Sequence, residues 1–321
     1  MRAIVHSKYG PPEVLTLAEV PQPTPAADEL LVEVHAAGLN RTDTGFRSAT
    51  PWFARFFTGL RAPRLRILGT EFAGIVTATG DDVDRFAVGD NVFGVRAHGF
   101  GTHAEYVCIK QTGPVARMPG SMSFIKGAGV CDGMSLAIGC LRRAKFAATH
   151  RILIYGSSGS IGTAAVQIAK RDGAHVTAVC RAEHVELMNQ LGADEVIDYT
   201  TTDFARSGQL YDIIFDAVGK LSYWKCRRAM KQESVYVSTD LGFMWQNPLL
   251  GLASRFLPVE KKAFLPVPPY TQSNVELLKE MWEAGEYRAV IDRTYPLEDV
   301  VEATKYVESQ QKTGNVVLVV R

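Results

Sequence analysis

Two groups of residues in this chain have the types and the spacing to bind a dinucleotide. The first is Gly156, Ser157, Ser158, Gly159, Ser160, Ile161 and Gly162, inside "RILIYGSSGSIGTAAVQIAK" from Arg151 to Lys170. A helix that begins beside a sheet exposes unpaired backbone N–H groups and the positive end of its dipole, so a pyrophosphate binds there if no β-carbons stand in the way. Glycines and serines leave that space. The usual fingerprint is G-x-G-x-x-G, and here two serines separate the first two glycines, so a plain glycine-rich bend from strand to helix is the alternative. The second group is Cys180-Arg181, near the end of the next strand. An NAD site normally carries an acid there for the ribose 2′-hydroxyl, and an NADP site carries positive charge. The forked guanidinium of Arg181 suits a 2′-phosphate and His184 adds charge, while Glu183 argues the other way and a solvated surface arginine is the alternative. NADPH is the expected cofactor.

The elements that must position these groups follow from apolar runs. Ile152 to Tyr155 reads as a strand buried on both faces, Ile161 to Ile168 as a packed helix, and Ala174 to Cys180 as a second buried strand, completing a βαβ unit of about 30 residues. Asp194 to Tyr199, Tyr211 to Gly219 and Glu233 to Thr239 are further β-rich runs separated by helical segments. That alternation predicts an α/β Rossmann domain with a doubly wound parallel sheet. Before Met118 the short runs "ELLVEVHAAGLN", "EFAGIVTATG" and "DNVFGV", broken by Gly, Pro and Asp, predict an antiparallel, barrel-like half. From Phe264 the tail reads as helix, strand, helix and strand in "SNVELLKEMWEAG", "YRAVIDRTYP", "EDVVEATKYVESQQ" and "NVVLVV".

Composition excludes several classes of partner. The 321 residues carry 35 Lys and Arg against 34 Asp and Glu, and the basic residues form no stripe, so no nucleic acid is expected. Five widely spaced cysteines without a C-x-x-C pair indicate neither a disulfide framework nor a zinc ribbon, and they suit the reducing cytoplasm. The opening "MRAIVHSKYG" lacks an apolar signal core, and the apolar stretch from Leu241 is interrupted by Gln246, Asn247, Pro248 and Arg255. No membrane partner is expected.

Taken in order, "AAGLNRTD" (Ala36 to Asp43), "ILGTEFAG" (Ile67 to Gly74), "VGDNVFG" (Val88 to Gly94), "GTHAEYV" (Gly101 to Val107), the glycine loop, "LGADEVIDY" (Leu191 to Tyr199) and the closing "TGNVVLV" carry a resemblance. Across essentially the whole chain the sequence resembles the medium-chain dehydrogenase/reductase superfamily, most of all its zinc-free quinone oxidoreductases and alkenal double-bond reductases. The resemblance implies a GroES-like, β-rich catalytic domain formed by residues 1–118 and 264–321, and a Rossmann NAD(P)-binding domain, 119–263, inserted between them. It also implies an active site in the cleft and a homodimer. Zinc-dependent alcohol dehydrogenases of the superfamily carry a Cys and the His of a G-H-E motif where this sequence has Asn40 and Thr70, and Gly89 to Gly113 holds only Cys108. No metal is therefore expected.

The missing ligands carry chemical content. Hydride transfer to an isolated carbonyl develops alkoxide charge that a metal or a strong acid must stabilise, whereas hydride added to an enone, enal or quinone spreads its charge through an enolate. The expected enzyme is thus a zinc-independent NADPH oxidoreductase that reduces small quinones or activated C=C bonds by hydride transfer. An NAD(P)-dependent alcohol or aldehyde dehydrogenase and a non-catalytic NADPH-binding protein are the alternatives.

By resemblance Asn40 lies near the nicotinamide ribose and orients a substrate carbonyl, with Asp43 beside it; both are also turn-forming residues that bond their own backbone. Ser135, in "VCDGMSLAI", stands where relatives have Thr and either relays a proton or caps a helix, while Cys131 and Asp132 replace the small residues common there. Tyr199 packs along the adenosine half or is half-buried core, Gly219 admits the ribose, and Asn315 contacts the phosphates. The aromatic runs "PWFARFFTGL" (Pro51 to Leu60) and "GFMW" (Gly242 to Trp245) are equally a substrate wall or a core or dimer contact. His35 and His103 read as structural.

Overall fold

The computed structural model describes every residue except 51, 53, 54, 98, 241–245, 257–259, 267 and 268, and the backbone alone at 57 and 253–256. The chain forms two compact units, residues 1–132 with 270–285 and 289–321, and residues 133–269 with 286–288. The candidate "GFMW" lies outside the described residues, as do Pro51, Phe53 and Ala54 of the other aromatic run, whose Trp52, Phe56 and Leu60 are exposed.

The first unit opens on the antiparallel pair β1 (Arg2–Val5) and β2 (Thr16–Glu19). It continues through β3 (Glu29–Leu39), α1 (Arg41–Ser48), α2 (Arg55–Thr58), β4 (Glu71–Thr79), β5 (Asn91–Val95), β6 (Tyr106–Lys110), β7 (Val115–Arg117) and α3 (Phe124–Ala128). α4 (Cys131–Arg143) leads into the second unit, which holds β8 (Arg151–Tyr155), α5 (Ser160–Arg171), β9 (His175–Cys180), α6 (Val185–Gln190), β10 (Glu195–Asp198), β11 (Tyr211–Asp216), α7 (Tyr223–Cys226), β12 (Met230–Ser238), α8 (Gln246–Phe256) and β13 (Lys262–Phe264). The tail returns to the first unit as α9 (Gln272–Glu283), β14 (Ile291–Pro296), α10 (Val300–Glu308) and β15 (Asn315–Val319).

In the first unit the sheet order is β14-β15-β3-β4-β5-β7, with β6 also on β3. β3 is almost wholly buried and bulged at two points against β4, which lets one strand bend to serve three antiparallel partners, β4, β6 and β15. Its core gathers Ile4, Leu30, Val32, Phe72, Val92 and Phe100 with Val316 and Leu318 from the returning tail. α3 packs on β3, β4 and β5, and this unit runs on to Asp132.

In the second unit the strands run parallel in the order β10-β9-β8-β11-β12-β13. Ile152, Leu153 and Ile154 are fully buried, as a parallel sheet covered by helices on both faces requires. The order reverses between β8 and β11, and ligands of such sheets bind at the carboxyl ends of the strands flanking the reversal. No helix among the described residues is long and apolar enough to cross a membrane.

Candidate active site

The glycine loop fills that reversal point. Gly156 turns the chain after β8 at φ +73°, in the left-handed region that favours glycine. A β-carbon on Gly162 would stand 2.3 Å from the Gly156 carbonyl oxygen, and one on Gly156 would stand 2.6 Å from a Val218 methyl, so the loop closes only without them. Gly159 caps α5 with no side-chain bond, which leaves the first-turn amides of Ser160 and Ile161 without an intrahelical partner at the positive end of a 12-residue helix. Ser158, Ser160 and Ile161 are half-buried around this cradle, and its shape and donors fit a pyrophosphate.

At the end of β9, Arg181 is exposed and donates from Nε to the Tyr199 hydroxyl at 2.9 Å. A guanidinium has five N–H groups, so this bond fixes the side chain while the terminal nitrogens remain to hold an anion. Tyr199 packs on Tyr155 with ring centroids 5.9 Å apart. Glu183, the contrary detail of the sequence, pairs with His184 at 3.3 Å. At the end of β11, Gly219 has φ +69° and donates its N–H to Asp216 at 2.9 Å. Asp216 is fully buried and also accepts from Val218, Leu221 and the Tyr236 hydroxyl, which fixes the shape of this second loop.

Several expected contacts serve the fold instead. The amide and the hydroxyl of Ser157 both donate to the Val179 carbonyl, at 3.2 and 3.1 Å, and tie the loop to β9. Cys180 is 1% exposed, and burial pushes its thiol up to about 11. Asn315 opens β15 in the first unit, where its side-chain amide donates to the Val290 carbonyl at 3.1 Å. Ser135 is buried in the second turn of α4, in the second unit, and does not cap the helix start.

Asn40 and Asp43 belong to the first unit, where they form a capping box on α1. The Asn40 Oδ1 accepts from the amides of Thr42 and Asp43, while Asp43 accepts from Asn40 N and Gly69 N, each at 3.0 Å. The Asn40 Nδ2 donates to Thr70 Oγ1 at 2.8 Å. These bonds seat Asn40 in the cap of α1. Its place is at the root of the site.

Around that root the first unit gathers ionisable groups that the sequence did not single out as a set. Glu71, at the start of β4, lies where a β-carbon on Gly38 would be 2.7 Å from its Oε2, so glycine in β3 makes room for the carboxyl. Its Oε1 accepts from Asp132 N at 2.8 Å. The Tyr270 hydroxyl, just before α9, donates to Asp132 Oδ1 at 2.6 Å. Lys312, half-buried just before β15, donates to the Gly314 carbonyl at 2.5 Å. Burial pushes both carboxyls well above their ordinary range, Glu71 further because Asp132 is charged beside it. Two buried carboxylates so close do not both ionise at neutral pH, and the pair retains a proton. Burial pulls Lys312 down to about 8 although Glu71 and Asp132 pull the other way. His103, by contrast, bonds the Gly38 carbonyl at 2.9 Å, and His35 stacks on Phe124, both as structural histidines do.

Among the described residues no three His, Cys, Asp or Glu side chains converge as a metal site would require. Sequence reading passed over Tyr270 and Lys312, which carry no local signal, and noticed Asp132 only as a departure from small residues. Glu71 was visible beside Thr70 in "GTE".

Residues 191–318 match the zinc-binding dehydrogenase family and residues 26–120 the alcohol dehydrogenase GroES-like domain. The chain is 32% identical to a trans-enoyl reductase of Aspergillus terreus over 91% of this chain and 86% of that one. It is 28% identical to a chloroplastic NADPH-dependent alkenal/one oxidoreductase of Arabidopsis thaliana, over 99% of this chain and 79% of the relative. The solved quinone oxidoreductase from Coxiella burnetii superposes with a TM-score of 0.88 at 26% identity, covering 100% of this chain and 99% of that one.

Proposed function

The chain belongs to the medium-chain dehydrogenase/reductase superfamily, in its quinone oxidoreductase and enoyl reductase branch, and from that premise we propose that this oxidoreductase uses NADPH to reduce quinones or the activated C=C bonds of enones and enals, by hydride transfer and without zinc. The observation that carries the reading is the hydrogen bond between Asn40 and Thr70. Where zinc-dependent members of the superfamily hold their metal, this chain has an amide and a hydroxyl satisfied by each other, neither a ligand of the soft or imidazole type. Without Lewis-acid help the favourable acceptor is one that delocalises its own charge. When bound, the nicotinamide supplies hydride to the acceptor. The amides at the start of α5 hold the pyrophosphate, and Arg181, braced by Tyr199, takes the 2′-phosphate that distinguishes NADPH from NADH. The choice of NADPH is supported by the relative named for NADPH and alkenal reduction.

The test offers chelator-treated protein a quinone, a short enone, a long alkenal and a saturated aldehyde in parallel, following NADPH absorbance with NADH as comparison. We expect turnover of conjugated acceptors with NADPH and none of the aldehyde. Activity that chelation abolishes would identify a metal-dependent dehydrogenase, and tight NADPH binding without turnover would identify a cofactor-binding protein.

A further inference from the structure

We propose that Trp52, Phe56 and Leu60, with the arginines that stand among them in sequence, dock the protein on an anionic lipid surface. The inference concerns where the molecule is held and does not depend on the reaction proposed above.

Two stretches far apart in the chain build this face, both within the first unit. The Tyr9 hydroxyl donates to the Gly59 carbonyl at 2.8 Å and lies 2.7 Å from Thr58 Oγ1, and the Arg55 guanidinium sits over the Tyr9 ring, 5.0 Å from its centroid. His6 N donates to the Arg66 carbonyl at 2.9 Å, and Val5 pairs with Ile67. The turn between these anchors is closed by Arg64 N on the Thr58 carbonyl at 2.9 Å. Gly59 runs there at φ +127°, where a β-carbon would stand 2.1 Å from the Ala62 carbonyl oxygen, so the turn needs its glycine.

On that frame Trp52, Phe56 and Leu60 are 68%, 58% and 62% exposed, with the Trp52 and Phe56 rings 5.8 Å apart. Such exposure rules out core packing for these three, and large apolar groups left open within nine residues of chain mark a contact surface. Lys8, Arg55, Arg61, Arg64 and Arg66 are exposed too. No Asp or Glu occurs from Met1 to Pro12 or from Thr44 to Thr70. The acids that border the second stretch, Asp43 and Glu71, are buried, and Glu13 at the end of the first is paired with Lys305 at 3.1 Å. In a chain with 35 basic and 34 acidic residues, these two stretches bring cations together without acids.

Exposed aromatic and aliphatic side chains interspersed with arginines match the two layers of a lipid surface, rings and Leu60 at the acyl boundary and guanidiniums on the phosphates. A second copy is the poorer partner, because a two-fold contact would set this cationic face on itself. A nucleic acid duplex would use the cations and leave Phe56 and Leu60 in water. The lack of a signal core and of a spanning segment bears on insertion, and a surface contact requires neither.

Flotation of the 321-residue chain with vesicles tests this. At low salt it should bind vesicles of phosphatidylcholine and phosphatidylglycerol in equal parts, ignore phosphatidylcholine alone, and lose most of its binding as added salt shortens the reach of the charges. Tryptophan emission should shift to the blue on the anionic vesicles, and Trp52→Phe should remove that shift. Arg61→Ala with Arg64→Ala should weaken binding on the order of 30-fold, at about fivefold per cation, whereas Arg61→Lys with Arg64→Lys should bind as the wild type does. Both double variants should unfold at the wild-type temperature, which separates lost docking from lost fold. Failure to bind the anionic vesicles at low salt, or equal binding to the neutral ones, would overturn the proposal. So would a dimer that the double alanine variant dissociates while its vesicle binding is unchanged, or duplex DNA held as tightly as the vesicles with no shift in Trp52 emission.

Discussion

Arg181 is exposed and makes one internal bond, to Tyr199, so its value to the protein lies in what its terminal nitrogens hold. Hydrogen bonds to a charged group contribute about 1.5–3 kcal/mol, so Arg181→Ala should weaken NADPH by roughly 10- to 100-fold in a fluorescence titration while NADH changes less than about twofold. Equal losses for the two cofactors would refute the 2′-phosphate role. Glu71 gives a second prediction at this scale, with the opposite dependence on context. Its carboxyl holds a proton in the folded state at pH values where the unfolded chain has released it, because burial raises its folded pKa. Stability must then fall as pH rises from about 4.3 through the raised value. Glu71→Gln removes that slope, and urea unfolding at pH 9 should find the variant more stable than the wild type by about 1–3 kcal/mol. A variant that is less stable at every pH would show that the carboxyl's bonds outweigh its ionisation.

Among the elements, the turn from β8 into α5 is the most constrained. Gly162→Ala puts a methyl 2.3 Å from the Gly156 carbonyl oxygen, and neither partner is a flexible side chain that can move away. The loop must open, at a cost of about 1–3 kcal/mol in stability. We expect calorimetry to report that loss together with weakened NADPH binding, and a variant that binds normally would mean the cradle is looser than its contacts indicate. This turn was legible in the sequence because strand, glycines and helix are consecutive, and so was the arginine that follows β9. What the sequence could not give is side-chain direction: the Ser157 hydroxyl turns to the Val179 carbonyl and the Cys180 thiol is buried. Asn40 and Asp43 were visible as a turn, and the turn is what they make. The cluster of Glu71, Asp132, Tyr270 and Lys312 was hidden for a different reason. Its members come from four separate stretches of the chain.

At the scale of the whole molecule, every residue of the pyrophosphate cradle, Arg181, Tyr199 and Gly219 lies in the second unit, and the proton-bearing cluster lies in the first. The proposed cofactor contacts can therefore be tested apart from the first unit. In amide hydrogen exchange, NADPH should protect the loops at 156–162 and 216–221 most strongly, because ligand binding suppresses the local openings of the elements it holds. Protection confined to β3 and β15 would contradict the assignment of the loop.

β3 carries a further consequence, for how the protein comes into being. Its early residues are covered by β6, but Ala36 to Leu39 pair with β15, which is made only after the strands of the second unit. A ribosome adding about 5–20 residues per second needs tens of seconds to bridge that gap, during which the contiguous second unit has all of its strands and the first does not. The nascent first unit thus waits with a hydrophobic strand edge open beside neighbouring nascent copies on the same messenger. Damage to the codons of β15 should accordingly act as a solubility defect during translation, before any cofactor or substrate has been met.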